Sequence, residues 1–369
     1  MKRTISTVCV LISLSVFFCG CHKNTTPTIT SKLITDGLVI NDKSYNADAW
    51  EGLLHFYGDT VGDEKNFGTL YDVVICNNPA LYHSDIRAVS EENLDILILT
   101  SFSFVSALQG IASLYPNQKY LTIDGFSLPD SNVMNYLFAT EEGSYLVGAL
   151  AALQAQAEGV SNPKFGFIGG IKSDIVTDFE VGFVLGIHSV LPDAEIYDCY
   201  VDSWMHPDRA AAKAKDWYDR GVYAIYSAAG LSGNGTIAEA MAHRKAGKNV
   251  WAIGVDKDQY EEGIYGVDKS AVLTSMIKRI GNAVEMGLKA VQSGTFNGGS
   301  RVLNLKDGSV GFSTTNTEIA PEVIKQVSAL QNSIISGKIK VPATYKDRAA
   351  AEEVIKSVKN EAMITENEK

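Results

Sequence analysis

The stretch LITDGLVINDKSYNADAWEG, Leu33–Gly52, opens as an apolar strand and closes as an amphipathic helix. Between the two lie Asp36, Asn41, Asp42, Lys43, Ser44, Tyr45 and Asn46, more polar chemistry than a turn requires. A strand, a loop and a helix make half of a βαβ unit, and the alternation recurs down the chain. Strand-length apolar runs fall at 73–76, 95–102, 120–124, 164–170, 195–201, 222–230, 250–256 and 270–276. Helical patterns separate them, among them NADAWEGLLHFYG, EEGSYLVGALAALQAQAEG, DRAAAKAKDWYDRG and TIAEAMAHRKAG. That is too many strands for one small sheet, so the pattern predicts an α/β chain of two doubly wound lobes.

The predicted boundaries follow from the same pattern. Residues 33–138 are expected to form the first lobe, with the helical KRIGNAVEMGLKAVQSG, about 277–297, returning to it. Residues 139–276 are expected to form the second lobe, joined by about 298–348, which includes the strand-like RVLNL. The charged tail 349–369 reads as a solvated helix or frayed end.

The N-terminus, MKRTISTVCVLISLSVFFCGC, carries Lys2 and Arg3 and then an apolar run too short to span a bilayer. Residues 1–20 therefore read as a signal peptide. The ending Phe18-Cys19-Gly20-Cys21 resembles a bacterial lipobox, in which Cys21 takes lipid; a plain secretory signal is the alternative. Residues 21–32 are polar and Thr-rich, as a flexible tether should be.

The 369 residues carry a formal net charge of -11 without a basic block beyond the extreme N-terminus, which argues against a nucleic-acid partner. Of five cysteines, only Cys76 and Cys199 fall in the body of the chain. Both lie in apolar strand-like runs, so buried thiols are expected rather than a disulfide or a metal pair. No metal or other cofactor is expected.

In open parallel sheets, ligands bind beyond the carboxyl ends of the strands. The loops there are TDGLVINDKSYN, YVDSWMHPD, SAAGLSGNGT and IGVDKDQ, with Lys278 at the end of LTSMIK. Each has an ordinary structural explanation too. Asp36 can cap its strand end, Tyr45 and Trp204 can be packing aromatics, and Asp42, Lys43 and Ser44 can shape the loop and cap the next helix. Gly230 and Gly235 have phosphate-loop spacing, yet Thr236 stands where the lysine belongs. Asp256 and Asp258 begin like a calcium loop, but Tyr260 and Glu261 break it. No nucleophile elbow or Cys–His pattern recommends an enzyme.

Taken in order, TDGLVINDKSYNADAWEGL, FATEEGSYLVGALAA, FGFIGG, AAGLSGNG, AIGVDKDQ, VLTSMIKR and ISGKIKVP resemble the landmarks of the basic membrane protein family, lipoproteins of the purine nucleoside receptor type. The resemblance runs from about Leu33 to Pro342. It implies a type I periplasmic-binding-protein fold, two Rossmann-like lobes with a three-strand hinge and a ligand in the cleft between them. It implies that the base stacks between Tyr45, where Phe is usual, and Trp204. Asp36 and Asn46 match the base-recognising pair, and Asp256 and Lys278 match the ribose contacts, with Gly230 alongside. The family's Phe-x-x-x-Asp-Ala pattern is here FVSA, so Ser106 replaces a carboxylate with a hydroxyl.

The resemblance further implies a lipid-anchored, monomeric receptor at the cell membrane, facing the periplasm or cell exterior. Such a receptor delivers purine nucleosides to the permease and ATPase subunits of an ABC transporter. A binder of sugars or other small polar metabolites, a surface interaction protein, and a nucleoside hydrolase are the competing readings.

Overall fold

The computed structural model describes residues 28–37, 39–125 and 128–363. The expected signal peptide, Cys21 and most of the tether lie outside the described residues. In chain order, the first part runs β1 (Ser31–Asp36), α1 (Tyr45–Tyr57), β2 (Tyr71–Cys76), α2 (Tyr82–Ser90), β3 (Ile96–Thr100), α3 (Val105–Leu108), α4 (Ile111–Leu114), β4 (Tyr120–Ile123) and β5 (Val133–Phe138). The second continues α5 (Thr140–Ala157), β6 (Lys164–Gly169), α6 (Asp174–His188), β7 (Ile196–Tyr200), α7 (Pro207–Asp219), β8 (Val222–Ala228), α8 (Gly233–Lys245), β9 (Trp251–Asp256), β10 (Ile264–Gly266), β11 (Lys269–Ser270) and β12 (Val272–Lys278). The last part holds α9 (Ile280–Gln292), β13 (Gly299–Leu303), β14 (Val310–Phe312), α10 (Pro321–Ile335), α11 (Thr344–Ile355) and β15 (Lys359–Asn360).

Two large sheets result. The first is wholly parallel, in the order β13-β5-β4-β3-β1-β2. The second has the order β14-β12-β9-β8-β6-β7-β15, parallel except for the β12–β14 pair. Central strands such as ILILT in β3 and VYAIYSA in β8 are buried along their whole length. Helices on both faces leave such a strand no solvent side, hence a continuous apolar run rather than an alternating one. A separate two-stranded ribbon pairs β10 with β11.

The chain crosses between lobes three times, after Phe138, after Lys278 and after Leu303. The crossings lie side by side: the Ala139 N–H donates to Leu303 O at 2.7 Å, and the Arg279 N–H to Ser309 O at 2.9 Å. This is the three-strand hinge of the expected fold.

Two boundaries differ from those read in the sequence. The strand at Gly299–Leu303 pairs with β5 and so belongs to the first sheet, whereas the sequence pattern places the chain from about 298 in the second lobe. A short, exposed strand names no partner; only the register along β5 decides it. The tail is not a frayed end as far as Met363. Its first part continues α11 to Ile355 as a helix, and β15 then adds to the edge of β7, where Arg220 holds Glu361 at 2.8 Å. Lys359 and Glu361, which read as solvated in the sequence, here pair with Glu195 and Arg220.

Candidate functional site

Both sheets change winding direction in their middles, between β1 and β3 in the first and between β6 and β8 in the second. At such switch points neighbouring loops part and leave a crevice. The two crevices face each other and form one cleft. Counting the open solvent at its mouth, it spans about 750 Å³ of space between the lobes.

Asp36, the last residue of β1, is carried to the floor of this cleft. Its carboxylate is buried and bonded by the side chains of Ser101 and Ser103; burial outweighs those bonds and raises its pKa to about 6. Asn46 lines the same wall, but its amide is partly committed. Its Oδ1 accepts from Thr35 Oγ1, and its Nδ2 donates to Asp36 O at 3.2 Å, which leaves one N–H for another acceptor.

The polar loop between β1 and α1 has a division of labour. Asp42 accepts from the N–H groups of Ser44, Asn46 and Ala47 at 2.9, 3.0 and 3.1 Å, capping α1. Ser44 donates across the cleft to Asp256 Oδ2 at 2.6 Å. The carbonyls of Asp42 and Lys43 accept from Asn234 and Gln259 of the opposite lobe, both at 3.1 Å. The loop therefore clasps one lobe to the other as well as lining the cleft.

Tyr45 begins α1 and donates its hydroxyl to Ile123 O at 3.1 Å. Burial, then the Asp124, Asp36 and Asp256 carboxylates, keep the phenol far above its ordinary pKa, so the ring stays neutral. Trp204 enters from the other lobe, in the loop after β7. Its indole lies against Gly170, where any Cβ would run into the ring, and its backbone carbonyl accepts from the Ser232 N–H at 3.0 Å. Phe102 meets it edge-on, with centroids 6.2 Å apart and planes at 74°. Phe179 of α6 adds a further ring to the wall. Gly230 takes a positive φ of 55° under Trp204.

The hinge end of the cleft is charged. Lys278, the last residue of β12, is 1% exposed and forms an ion pair across the lobes with Asp124. Its ammonium lies 5.0, 5.1 and 5.4 Å from the ring centroids of Phe138, Tyr45 and Phe179. Asp256 ends β9 with a φ of 67° and is buried beside it. Burial raises its pKa to about 7, against the pull of Lys278 and the Ser44 bond. Asp36, Asp42, Asp124 and Asp256 thus line the cleft with Lys278 as the one cation among the lining residues. Such a site favours a neutral ligand rich in hydrogen-bond donors over an anion.

Of the residues singled out in the sequence, Asp36, Tyr45, Asn46, Trp204, Gly230, Asp256 and Lys278 line this one cleft. Ser106 does not. It is exposed on α3 and faces an outer cavity that shares Asp36 and Trp204 with the cleft. Its hydroxyl therefore does not stand in for a cleft carboxylate. Sequence reasoning misses Asp124, Phe102 and Phe179. Asp124 carries a signal, since it follows the strand YLTI as Asp36 closes LITD. Phe102 sits at the end of a strand-length run, while Phe179 reads as an ordinary core residue of its helix. The glycine-rich turn is explained by packing: a Cβ on Gly235 would enter the backbone of Pro207, where α8 crosses α7. Among the described residues no group of acidic, His or Cys side chains is arranged to hold a metal, Cys76 and Cys199 are free and buried, and no helix is long and apolar enough to cross a membrane.

Comparison with known proteins agrees with this geometry. Residues 30–345 match the family model described as Bmp, ABC transporter substrate-binding protein PnrA-like. The chain is 32% identical to the CD4+ T-cell-stimulating antigen of Listeria monocytogenes, over 85% of this chain and 88% of that one. It is 31% identical to the ABC transporter nucleoside-binding protein BmpA of Lactococcus lactis, over 93% and 99%. A solved solute-binding protein of an ABC transporter system from Aeropyrum pernix shares the fold, with a TM-score of 0.75 at 24% identity over 89% and 98% of the two chains. The family is one of binding proteins, not enzymes. The chain belongs to the Bmp family of PnrA-like ABC transporter substrate-binding proteins.

Proposed function

We propose that this receptor captures purine nucleosides in its interlobe cleft and, anchored through Cys21, presents them to the membrane subunits of its transporter. The observation that carries the reading is the pairing of a ring-lined middle, Tyr45 and Trp204, with buried carboxylates at either end, Asp36 and Asp256. A purine between the rings gains about 1–3 kcal/mol per stacked face, by analogy with nucleic-acid binders. Asp36 accepts a base N–H, the remaining Asn46 N–H reaches a base acceptor, and Asp256 accepts from the ribose hydroxyls. Charged hydrogen bonds of this kind contribute roughly 1.5–3 kcal/mol each. The nucleoside-binding relative from Lactococcus lactis supports the same ligand class.

The test is calorimetric titration of a soluble chain starting at His22, unfolded and refolded to remove carried ligand, with adenosine, guanosine, inosine, cytidine and ribose. Purine nucleosides are expected to bind below about 1 µM and ribose not at all. Silence toward every nucleoside overturns the reading. Adenosine is also expected to bind more tightly than 2′-deoxyadenosine, because the deoxy sugar leaves Asp256 short of a buried partner; equal affinities remove Asp256 from the ribose site.

A further inference from the structure

Outside the cleft, on the side away from the hinge, lies a second, open cavity of about 1210 Å³ counting the solvent at its mouth. One wall comes from the loop after β2 and from α2 and α3, the other from the loops after β6 and β7. These are the strands at the free side of each sheet, opposite β5 and β12 where the chain crosses between lobes. The outer cavity shares Asp36, Gly37, Trp204 and Met205 with the cleft, so the two spaces adjoin at the residues assigned to the base. Gly37 offers no side chain at the junction. The remaining lining is mixed, with Asp202, His83 and Ser106 beside Pro79, Tyr82 and Ile171.

Among the described residues the opposite end has no such outlet. Lys278, Asp124 and Asp256 there are between 1% and 6% exposed. Directly behind them the crossings at Ala139 and Arg279 are tied to the third crossing through Leu303 and Ser309. A ligand therefore has room to grow at its Asp36 end and none at its Lys278 end.

We propose that the outer cavity is an extension of the ligand site that receives a substituent carried on the base, so that this receptor takes base-substituted purine nucleosides and excludes those extended at the ribose 5′ position. The proposal rests on the nucleoside reading above. An N6-substituted adenine keeps one N6–H to donate to Asp36, while the substituent leaves past Trp204 into the outer cavity. A 5′-phosphate has to enter a sealed end where Asp124 and Asp256 outnumber Lys278.

Titration of the full mature chain with adenosine, N6-benzyladenosine and adenosine 5′-monophosphate decides it. N6-benzyladenosine is expected within about tenfold of adenosine, and the monophosphate at least about a hundredfold weaker. Ala80 and Ala107 line only the outer cavity. Ala80→Trp and Ala107→Trp are expected to leave adenosine affinity within about threefold while weakening N6-benzyladenosine by about thirtyfold in at least one of the two. If adenosine binds and N6-benzyladenosine is weaker by about a hundredfold, the extension site is overturned while the nucleoside reading stands. It is overturned equally if both variants weaken the two ligands to the same degree. If adenosine itself does not bind, the nucleoside reading fails first.

Discussion

Acidification is expected to weaken ligand binding while it strengthens the fold. The carboxyl of Asp256 titrates at about 7 and that of Asp36 at about 6, both raised by burial. Only the ionised form accepts hydrogen bonds without donating one. A group titrating near 7 is roughly nine-tenths ionised at about pH 8, one-tenth at about pH 6 and one-hundredth at about pH 5. One titrating near 6 falls to about half and then to one-tenth over the last two of those values. A ligand that needs both carboxylates therefore loses roughly twentyfold in affinity between about pH 8 and 6, and on the order of a thousandfold by about pH 5. Folding runs with the opposite sign. Each folded pKa lies above its unfolded value, so the stability these groups confer is complete below about pH 4 and lost as pH rises through 6 and 7. Asp178 at about 6, and Glu141 and Glu180 at about 7, act in the same direction. The assay is calorimetric titration with adenosine across this range, with thermal melts of the unliganded protein in the same buffers. Asp256→Asn is expected to remove one proton from the pH slope of binding. An affinity that stays flat from about pH 8 to 5, or a melting temperature that falls together with affinity, refutes the reasoning.

Other perturbations test separate parts of the site. Tyr45→Ala and Trp204→Ala are each expected to weaken purine nucleosides by at least about tenfold in equilibrium titration; unchanged affinity removes that ring from the stack. Gly170→Ala places a methyl where the Trp204 indole lies, so affinity should fall by about tenfold, with little change in the urea midpoint. An intact affinity there means that the indole need not rest on Gly170. Lys278→Met leaves Asp124 as a buried carboxylate without its ion-pair partner, and is expected to lower unfolding free energy by about 3–5 kcal/mol; a urea melt within about 1 kcal/mol of the parent contradicts the pairing.

Much of this molecule is legible in its sequence because a parallel sheet covered on both faces writes each strand as an unbroken apolar run. The runs at LITD, VVIC, YLTI and KFGFIG all form strands within a few residues of their expected limits. The polar loops and strand ends after such runs hold the seven cleft residues singled out in the sequence, because strand ends are where such sheets open. Strands without that signature escape. β5 carries Asn135 in its middle, buried and held by the Thr122 hydroxyl at 2.8 Å, a polar residue that interrupts the run yet is satisfied by its neighbour. β14 and β15 are too short to show a pattern and exist because an edge is available to pair with.

Pairing between lobes lies beyond the sequence altogether. That Ser44 reaches Asp256, that Asp124 holds Lys278, and that Phe102 meets Trp204 depends on how the hinge sets one sheet against the other. The same geometry moves Ser106 out of the cleft and β13 into the first sheet. Local periodicity records which face of an element is buried. It carries no record of which distant residue buries it, and that choice is made by the tertiary structure.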